Sequence, residues 1–355
     1  MKISMICFSL TGMETGEKLK AGLKEKGWEA CLDAKSKYLP ESIKESTKEW
    51  AGQQFEKAEG IVFIGAAGIA VRSIAPYVQS KKTDPAVLVI DECGNFVISL
   101  LAGHLGGANA LTKVCAGILD AVPVVTTATD LHHKFAVDVF AKENGCHIFR
   151  MREAKEVSAA LLAGEPVGFY SEFPWEGKLP KGLVLWNPQM EGQEKKPETG
   201  IALTIHENCR PFTSTTHVVP KAVALGMGCR KNKEAEILEE RAEEVLKENE
   251  IYPQSLFCLA SIDIKKEEPG LIRLAEKFQI PFLTFSGETL QKVEGDFTAS
   301  AFVNQTVGVD NVCERSALYA ARQIDGFGAQ LIQKKQGEKG VTTALALGKW
   351  RAHFE

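Results

Sequence analysis

GIVFIGAAGIAVRSIAPYV, residues 60–78, shows the pattern that decides the fold of this chain. A short, continuously apolar run ends in a glycine turn, and a helical pattern follows the turn. Strands without polar alternation are typical of parallel sheets that are covered on both faces. The same order recurs from residue 2 and from residue 123, which predicts an α/β domain with a mostly parallel sheet. Between these repeats, residues 85–100 predict a hairpin with its turn at residues 92–95.

The pattern changes twice beyond this first part of the chain. Short strands with one clear helix indicate a small α+β middle region over residues 144–219. From residue 220 the alternation of strands and helices returns, and the basic segment 333–340 is interpreted as a solvated loop before the last strand. The sequence therefore predicts two α/β domains, residues 1–143 and 220–355, joined by the middle region.

Composition excludes several classes of protein. The 355 residues are 45% hydrophobic and 25% charged, with a formal net charge of −4, which is typical of a globular protein. No basic field exists to hold phosphates, so nucleic acid is not an expected partner. The longest apolar runs are broken by glycine and too short to cross a bilayer, so no membrane partner is expected either.

The cysteines and the first residues predict where the protein resides. Nine cysteines occur without a CxxC pair, and MKISMICFSL at the start indicates a first β-strand and not a secretory signal. Free thiols without an export signal predict the reducing cytoplasm. No spacing of histidine and cysteine suggests a metal held by the protein.

Ligands of open α/β sheets bind outside the carboxyl ends of the strands, and that rule selects two strings in the first domain. In GAAGIAVR, Gly65, Gly68 and Arg72 are predicted to bind an anionic group at a helix start, although tight packing alone would also explain the glycines. In LAGHLGGAN, residues 101–109, His104 lies among three glycines. It is interpreted equally as a reachable base or as a core histidine.

Further candidates lie at other strand ends. Thr127 and Asp130 follow the strand at residue 123, where they could bind a polar ligand or cap a helix. In the last domain, Arg230 and Lys231 lie on a glycine turn at a helix start, a position that is unfavourable for cations unless an anion lies between them. Two more candidates complete this set: Lys265, which lies near Glu268, and Glu314, whose alternative role is to compensate a helix dipole.

Several of these strings together resemble one family. FIGAAGIAVRSIAP, the segment that contains LLAGHLGGANAL, and PVVTTATDLHHKFAVD resemble the N-terminal region of the CbiG family of anaerobic cobalamin biosynthesis. VALGMGCRKNKEAE, SIDIKKEEPGLIRLAEKFQIPFLTF and VGVDNVCERSALYAA resemble its C-terminal domain. The resemblance covers nearly the whole chain in family order.

The resemblance implies a substrate and a reaction. The substrate is cobalt-precorrin-5A, a macrocycle that carries acetate and propionate arms, a cobalt ion and a lactone on ring A. Water opens the lactone, and a two-carbon unit leaves as acetaldehyde to give cobalt-precorrin-5B. The substrate brings the cobalt, so no separate cofactor is expected. Transient contacts with neighbouring pathway enzymes are also implied, and the oligomeric state stays open.

Roles for the candidate residues follow from this chemistry. His104 is the predicted base for water, with the amides of Gly106 and Gly107 as donors to the oxyanion. The predicted catalytic set also contains Asp130, Lys265 and Glu314. The residues predicted to bind substrate are Gly65, Gly68, Arg72, Gly106, Gly107, Asn109, Thr127, Arg230 and Lys231.

The same residues also allow a second function. The chain could instead be a non-catalytic protein that binds a corrinoid and hands it on, which would need cations but no positioned base. For either function, we expect residues 65–72 and 101–109 at the same end of the first sheet. The macrocycle is expected in a cleft between the two α/β domains.

Overall fold

The computed structural model describes residues 1–39, 41–80, 83–104, 106–127, 134–187, 196–299, 309–324 and 328–354. It is a mixed α/β structure with mostly parallel sheets, as predicted from the sequence. The chain divides into two compact units, Met1–Lys134 and Phe135–Glu355. The domain borders predicted at residues 143 and 219 stay a prediction. Within the described ranges, no helix is long and apolar enough to cross a membrane.

The first unit contains one six-stranded sheet in the order β2-β1-β3-β4-β5-β6. Strands β3 and β4 are buried along their whole length, because α1 and α4 pack on one face of the sheet and α2 and α3 on the other. The elements are β1 (Lys2–Cys7), α1 (Leu10–Glu25), β2 (Glu29–Ala34), α2 (Thr47–Lys57), β3 (Gly60–Ile64), α3 (Ala67–Ile74), β4 (Ala86–Ile90), β5 (Phe96–Leu101), α4 (Ala108–Leu119) and β6 (Val122–Val124).

The predicted hairpin is confirmed and determines the direction of two strands. Ile90 at the end of β4 pairs with Val97 in an antiparallel ladder, and the Asp91 carboxylate accepts hydrogen bonds from backbone N–H groups of the turn. Strands β1 to β4 are parallel to one another, and β6 is parallel to β5. The carboxyl ends of β5 and β6 therefore lie at the opposite end of the sheet from the carboxyl ends of β1 to β4.

The second unit begins with a five-stranded sheet in the order β10-β8-β11-β12-β7, which belongs to the middle region. Strands β10, β8, β11 and β12 are parallel, and β7 is antiparallel to β12. The elements are α5 (Val137–Glu143), β7 (His147–Phe149), α6 (Met151–Ala163), β8 (Val167–Ser171), β9 (Trp175–Glu176), β10 (Leu183–Leu185), β11 (Thr199–Leu203) and β12 (Ser214–Val219).

A second five-stranded sheet, in the order β15-β14-β13-β17-β16, completes the second unit. Strands β13, β14 and β15 are parallel, and β17 is antiparallel to both β13 and β16. A single apolar cluster extends through residues of both sheets. The elements are β13 (Val223–Cys229), α7 (Ala235–Glu248), β14 (Leu256–Ile262), α8 (Pro269–Phe278), β15 (Phe282–Phe285), α9 (Gly287–Gln291), α10 (Cys313–Ala321), β16 (Ala329–Glu338), β17 (Val341–Gly348) and β18 (Ala352–His353).

Candidate functional site

The two strings selected in the first unit lie at opposite ends of its sheet. Gly65 follows β3, and its N–H donates to the carbonyl oxygen of Ile90 at the carboxyl end of β4 (2.7 Å). Leu101 instead pairs with Val87, near the beginning of β4. The expectation that residues 65–72 and 101–109 share one end is therefore wrong. The physical reason is the β4–β5 hairpin, which reverses the chain between the two strings.

Asn109 connects the segments that surround His104. Its Oδ1 accepts a hydrogen bond from Ser99 Oγ on β5 (2.7 Å), and its Nδ2 donates to Thr127 Oγ1 after β6 (3.1 Å). His104 is half-buried in the turn before α4. The structure thus brings His104, Asn109 and Thr127 to one edge of the sheet, whereas Asp130 lies outside the described residues.

The two glycines of this turn, Gly106 and Gly107, each have a structural reason to be glycine. The N–H of Gly107 donates to the carbonyl oxygen of His104 (2.9 Å), and the φ of Gly107 is +84°, which favours glycine. A Cβ on Gly106 would overlap the Cβ of Ala102. The Gly107 amide thus closes the turn in this structure, and its service as an oxyanion donor stays a prediction that this geometry does not favour. Close packing is sufficient to require glycine at position 106.

At the other end of the sheet, Gly65, Gly68 and Arg72 lie together around the start of α3. A Cβ on Gly65 would lie 2.9 Å from the Phe8 ring, so the glycine allows a close approach of the chain. Arg72 is exposed, and its guanidinium lies over Gly68. Binding of an anion by this group stays a prediction.

A cavity of about 1000 Å³ lies at the carboxyl ends of β13 and β14 in the second unit. Arg230 and Lys231 line it after β13, Lys265 after β14, and Lys335 and Lys339 from the β16–β17 hairpin. Three acidic residues in its wall leave the lining with an excess of cations: Glu267, Glu268 and Glu338. The structure therefore brings three of the predicted residues, Arg230, Lys231 and Lys265, into one positively charged cavity.

A buried ion pair fixes one side of this cavity. Lys265 Nζ lies 2.9 Å from Glu268 Oε2, and the side chains are only 14% and 5% exposed. The other oxygen of Glu268 accepts a hydrogen bond from the backbone N–H of Lys233 (3.2 Å). An ammonium group has three donors, so Lys265 retains donors for a ligand carboxylate beside the bond to Glu268.

Two cysteines in the cavity wall are neutral at physiological pH. Burial raises the pKa of the Cys229 thiol and that of the Cys313 thiol to about 11. A thiolate is the nucleophilic form of cysteine, so neither side chain is suited to attack a lactone.

Glu314 lies beside this cavity and has no exposed surface. Its Oε1 accepts hydrogen bonds from Thr298 Oγ1 (2.9 Å) and the backbone N–H of Lys335 (2.5 Å). Its Oε2 accepts from the backbone N–H of Thr298 and from Asn311 Nδ2 (both 2.7 Å). This carboxylate joins three separate segments of the chain, which is the geometry of a structural group. A catalytic role for Glu314 stays a prediction that this geometry does not favour.

Reasoning from single strand ends does not find all the groups that line the cavity. Residues 333–340 were interpreted as a solvated loop, yet residues 333–338 belong to β16, and the hairpin contributes Lys335 and Lys339 to the cavity. Residues 333–338 show no alternation of apolar and polar side chains, so the sequence carries no strong signal for this strand. The described ranges contain no group of three histidine, cysteine or acidic residues placed to hold a metal ion.

Models of three regions of one family match the chain. They are cobalamin synthesis G N-terminal over residues 49–130, the cobalamin biosynthesis central region over residues 135–220, and cobalamin synthesis G C-terminus over residues 223–346. Together these matches cover most of the chain in the order that the sequence motifs predict.

Individual relatives agree with this assignment. A cobalt-precorrin-5A hydrolase of Salmonella typhimurium is 37% identical over 305 residues, which are 84% of either chain. Another, of Priestia megaterium, is 32% identical over 303 residues, 82% of this chain and 79% of that one. The chain therefore belongs to the CbiG family of cobalamin biosynthesis, as the resemblance of its motifs predicted.

Proposed function

We propose that this protein is a cobalt-precorrin-5A hydrolase, which opens the ring A lactone with water and releases acetaldehyde to give cobalt-precorrin-5B. The observation that carries this proposal is the 37% identity to a relative of that name along 84% of the chain. The cobalt ion enters with the substrate, so the proposal includes no separate cofactor.

The cavity of the second unit supports the proposal through its charge. The arms of the substrate are carboxylates, and neither Arg230 nor Lys231 forms an ion pair with an acidic side chain in the ranges that the structure describes. A volume of about 1000 Å³ lies at the upper end of the range for small-molecule sites. We assign Arg230 and Lys231 to the binding of substrate carboxylates, and we add Lys265, predicted from the sequence as a catalytic residue, to the same role.

The reaction needs two kinds of chemical assistance. A base must take a proton from the attacking water, and cations or N–H donors must stabilise the oxyanion. The released hydroxyl then loses its proton, the carbon–carbon bond breaks to form acetaldehyde, and the conjugated ring accepts the electron pair. His104 is the base predicted from the sequence, and the second unit offers another candidate.

The alternative, a protein that binds a corrinoid and hands it on, is tested by mixing purified protein with cobalt-precorrin-5A. Acetaldehyde is measured by its reduction with NADH and alcohol dehydrogenase, and the corrinoid by its mass. The hydrolase proposal expects catalytic release of acetaldehyde above the rate without protein. Tight corrinoid binding with acetaldehyde at the background rate would instead identify a carrier. Arg230→Ala serves as the variant with weakened binding.

A further inference from the structure

A histidine and a carboxylate meet at the edge of the middle sheet. His206 Nδ1 lies 3.0 Å from Glu172 Oε2 and 3.1 Å from Oε1. Glu172 directly follows β8, and His206 follows β11 by three residues. Because β8 and β11 are adjacent and parallel, both side chains lie outside the carboxyl ends of neighbouring strands. That is the position where α/β sheets bind their ligands.

The surrounding hydrogen bonds hold this pair in one arrangement. Thr204 Oγ1 donates to Glu172 Oε2 (2.5 Å) and accepts from the backbone N–H of His206 (2.9 Å). The backbone of His206 also forms an isolated antiparallel β-bridge with Ile251, which follows helix α7. The histidine is therefore fixed by its backbone as well as by its ring.

The bond to Glu172 determines which ring nitrogen is basic. An ionised carboxylate only accepts hydrogen bonds, so Nδ1 must carry the proton that it donates. Hydrogen bonds from His206 and Thr204 hold the pKa of Glu172 below its usual value against the opposing effect of burial. In the neutral imidazole, Nε2 is then the nitrogen with a lone pair. The His206 side chain is 39% exposed, so the ring is not sealed inside the unit.

We propose that His206 is the base that takes the proton from water during lactone opening, with Glu172 as its positioning residue. This inference rests on the proposed function. Nε2 accepts one proton while the water oxygen bonds to the lactone carbonyl carbon. The carbon–oxygen bond of the lactone then breaks to give a carboxylic acid, and the imidazolium returns its proton to the departing alkoxide. One water is consumed and the histidine is regenerated.

The charges around His206 strengthen it as a base. The hydrogen bond that His206 donates to Glu172 raises the pKa of His206, burial opposes this, and the charges of Glu172 and Glu250 add to the increase. The other titratable groups near the pair are Tyr170 and Cys209, which burial keeps neutral, with the pKa of Cys209 at about 11. A base with a higher pKa takes a proton more readily, and its rate falls as the pH drops below that pKa.

Two other histidines of this unit do not combine a partly buried carboxylate partner with a ring nitrogen that is left to act as a base. His217 is completely buried, and its two ring nitrogens are occupied by the Tyr252 hydroxyl (2.8 Å) and the Cys209 carbonyl oxygen (2.5 Å). His353 pairs with Glu176 at 3.3 Å, but both side chains are more than half exposed. His217 therefore has no basic atom to offer, and His353 provides a matched histidine–glutamate pair on the open surface.

The test compares four variants, one of them His104→Asn, with the wild type by acetaldehyde release, corrinoid binding and the pH dependence of kcat. His206→Asn should lower kcat about 10²–10⁴-fold with corrinoid binding retained. Glu172→Gln should move the midpoint of the pH profile to lower pH, because it removes the carboxylate that raises the pKa of His206. His353→Asn should change neither quantity. A purely structural role of the pair would not move the midpoint.

The outcomes separate this inference from the function on which it rests. No acetaldehyde from the wild type would refute both. An active wild type with an equally active His206→Asn, or with activity lost only in His104→Asn, would overturn the role of His206 alone. If His206→Asn does not fold, the decision passes to Glu172→Gln, for which a midpoint equal to that of the wild type overturns the proposal.

Discussion

Glu314 is the residue at which a structural and a catalytic role predict opposite results. We consider the substitution Glu314→Gln, which keeps the shape of the side chain and replaces one acceptor oxygen with an NH₂ group. Oε2 accepts from the Thr298 N–H and from Asn311 Nδ2, and neither of these donors can accept in return. The amide nitrogen will therefore take the place of Oε1, where the Thr298 hydroxyl can rotate to accept from it.

The loss in the free energy of unfolding follows from the hydrogen bonds that the new amide cannot make. With the nitrogen in the Oε1 position, the backbone N–H of Lys335 loses its acceptor, and a buried donor without a partner costs about 1–3 kcal/mol. The two bonds that Oε2 receives become bonds to a neutral group, and each loses about 1 kcal/mol. The free energy of unfolding should fall by about 3–5 kcal/mol, which lowers Tm by on the order of 10 °C for a unit of this size.

Thermal unfolding followed by circular dichroism measures this loss, and the exposed Glu288→Gln is the control, for which we expect an unchanged Tm. Below its lowered Tm, Glu314→Gln should keep the kcat of the wild type, because its carboxylate does not reach the cavity surface. A variant with the Tm of the wild type and a kcat reduced by a hundredfold would refute the structural role and restore the catalytic one.

Three further predictions concern other parts of the molecule. Arg230→Ala should raise KM with little loss of kcat, more so at low salt, in steady-state assays. Glu172→Gln should lower Tm more at pH 6 than at pH 9: the raised pKa of His206 gives stability below its unfolded value of 6.5, and this is lost as pH rises through the folded value. In denaturant titrations, Gly226→Ala should destabilise the protein by about 1–3 kcal/mol, because its Cβ would overlap a carbonyl oxygen of α10. Gly117→Ala is the matched control: it lies in open space on α4 and should stabilise the protein by up to about 1 kcal/mol.

Much of the fold was predictable, because its signals are local. The apolar run before Gly65 becomes the buried strand β3, and residues 85–100 become the β4–β5 hairpin. The expectation that residues 65–72 and 101–109 share one end of the sheet was wrong because of that hairpin. A hairpin reverses the chain, so the strand before His104 ends at the opposite edge from the strand before Gly65. The separation of the two strings thus follows from the hairpin that the sequence predicts.

The cavity of the second unit was predictable in part for the same reason. Arg230 and Lys265 each follow an apolar strand, and parallel neighbouring strands place such residues at one edge. The pairing of Lys265 with Glu268 follows from their spacing of three residues at the start of α8. The position of Glu314 was not predictable, because its partners Thr298 and Lys335 are 16 and 21 residues away in segments that only the folded chain brings together.

The pair of His206 and Glu172 shows where reasoning from strand ends stops. The residues are 34 positions apart, and neither lies in a distinctive string. Their meeting depends on β8 and β11 being neighbours, although the chain forms β9 and β10 between them. Strand adjacency of this kind depends on the packing of the whole sheet and on a crossover that no local pattern specifies. A base with a positioning carboxylate is therefore harder to predict from sequence than a binding surface made of cations, since each cation can be placed from its own strand end whereas the pair is recognised only once its two strands are known to be neighbours.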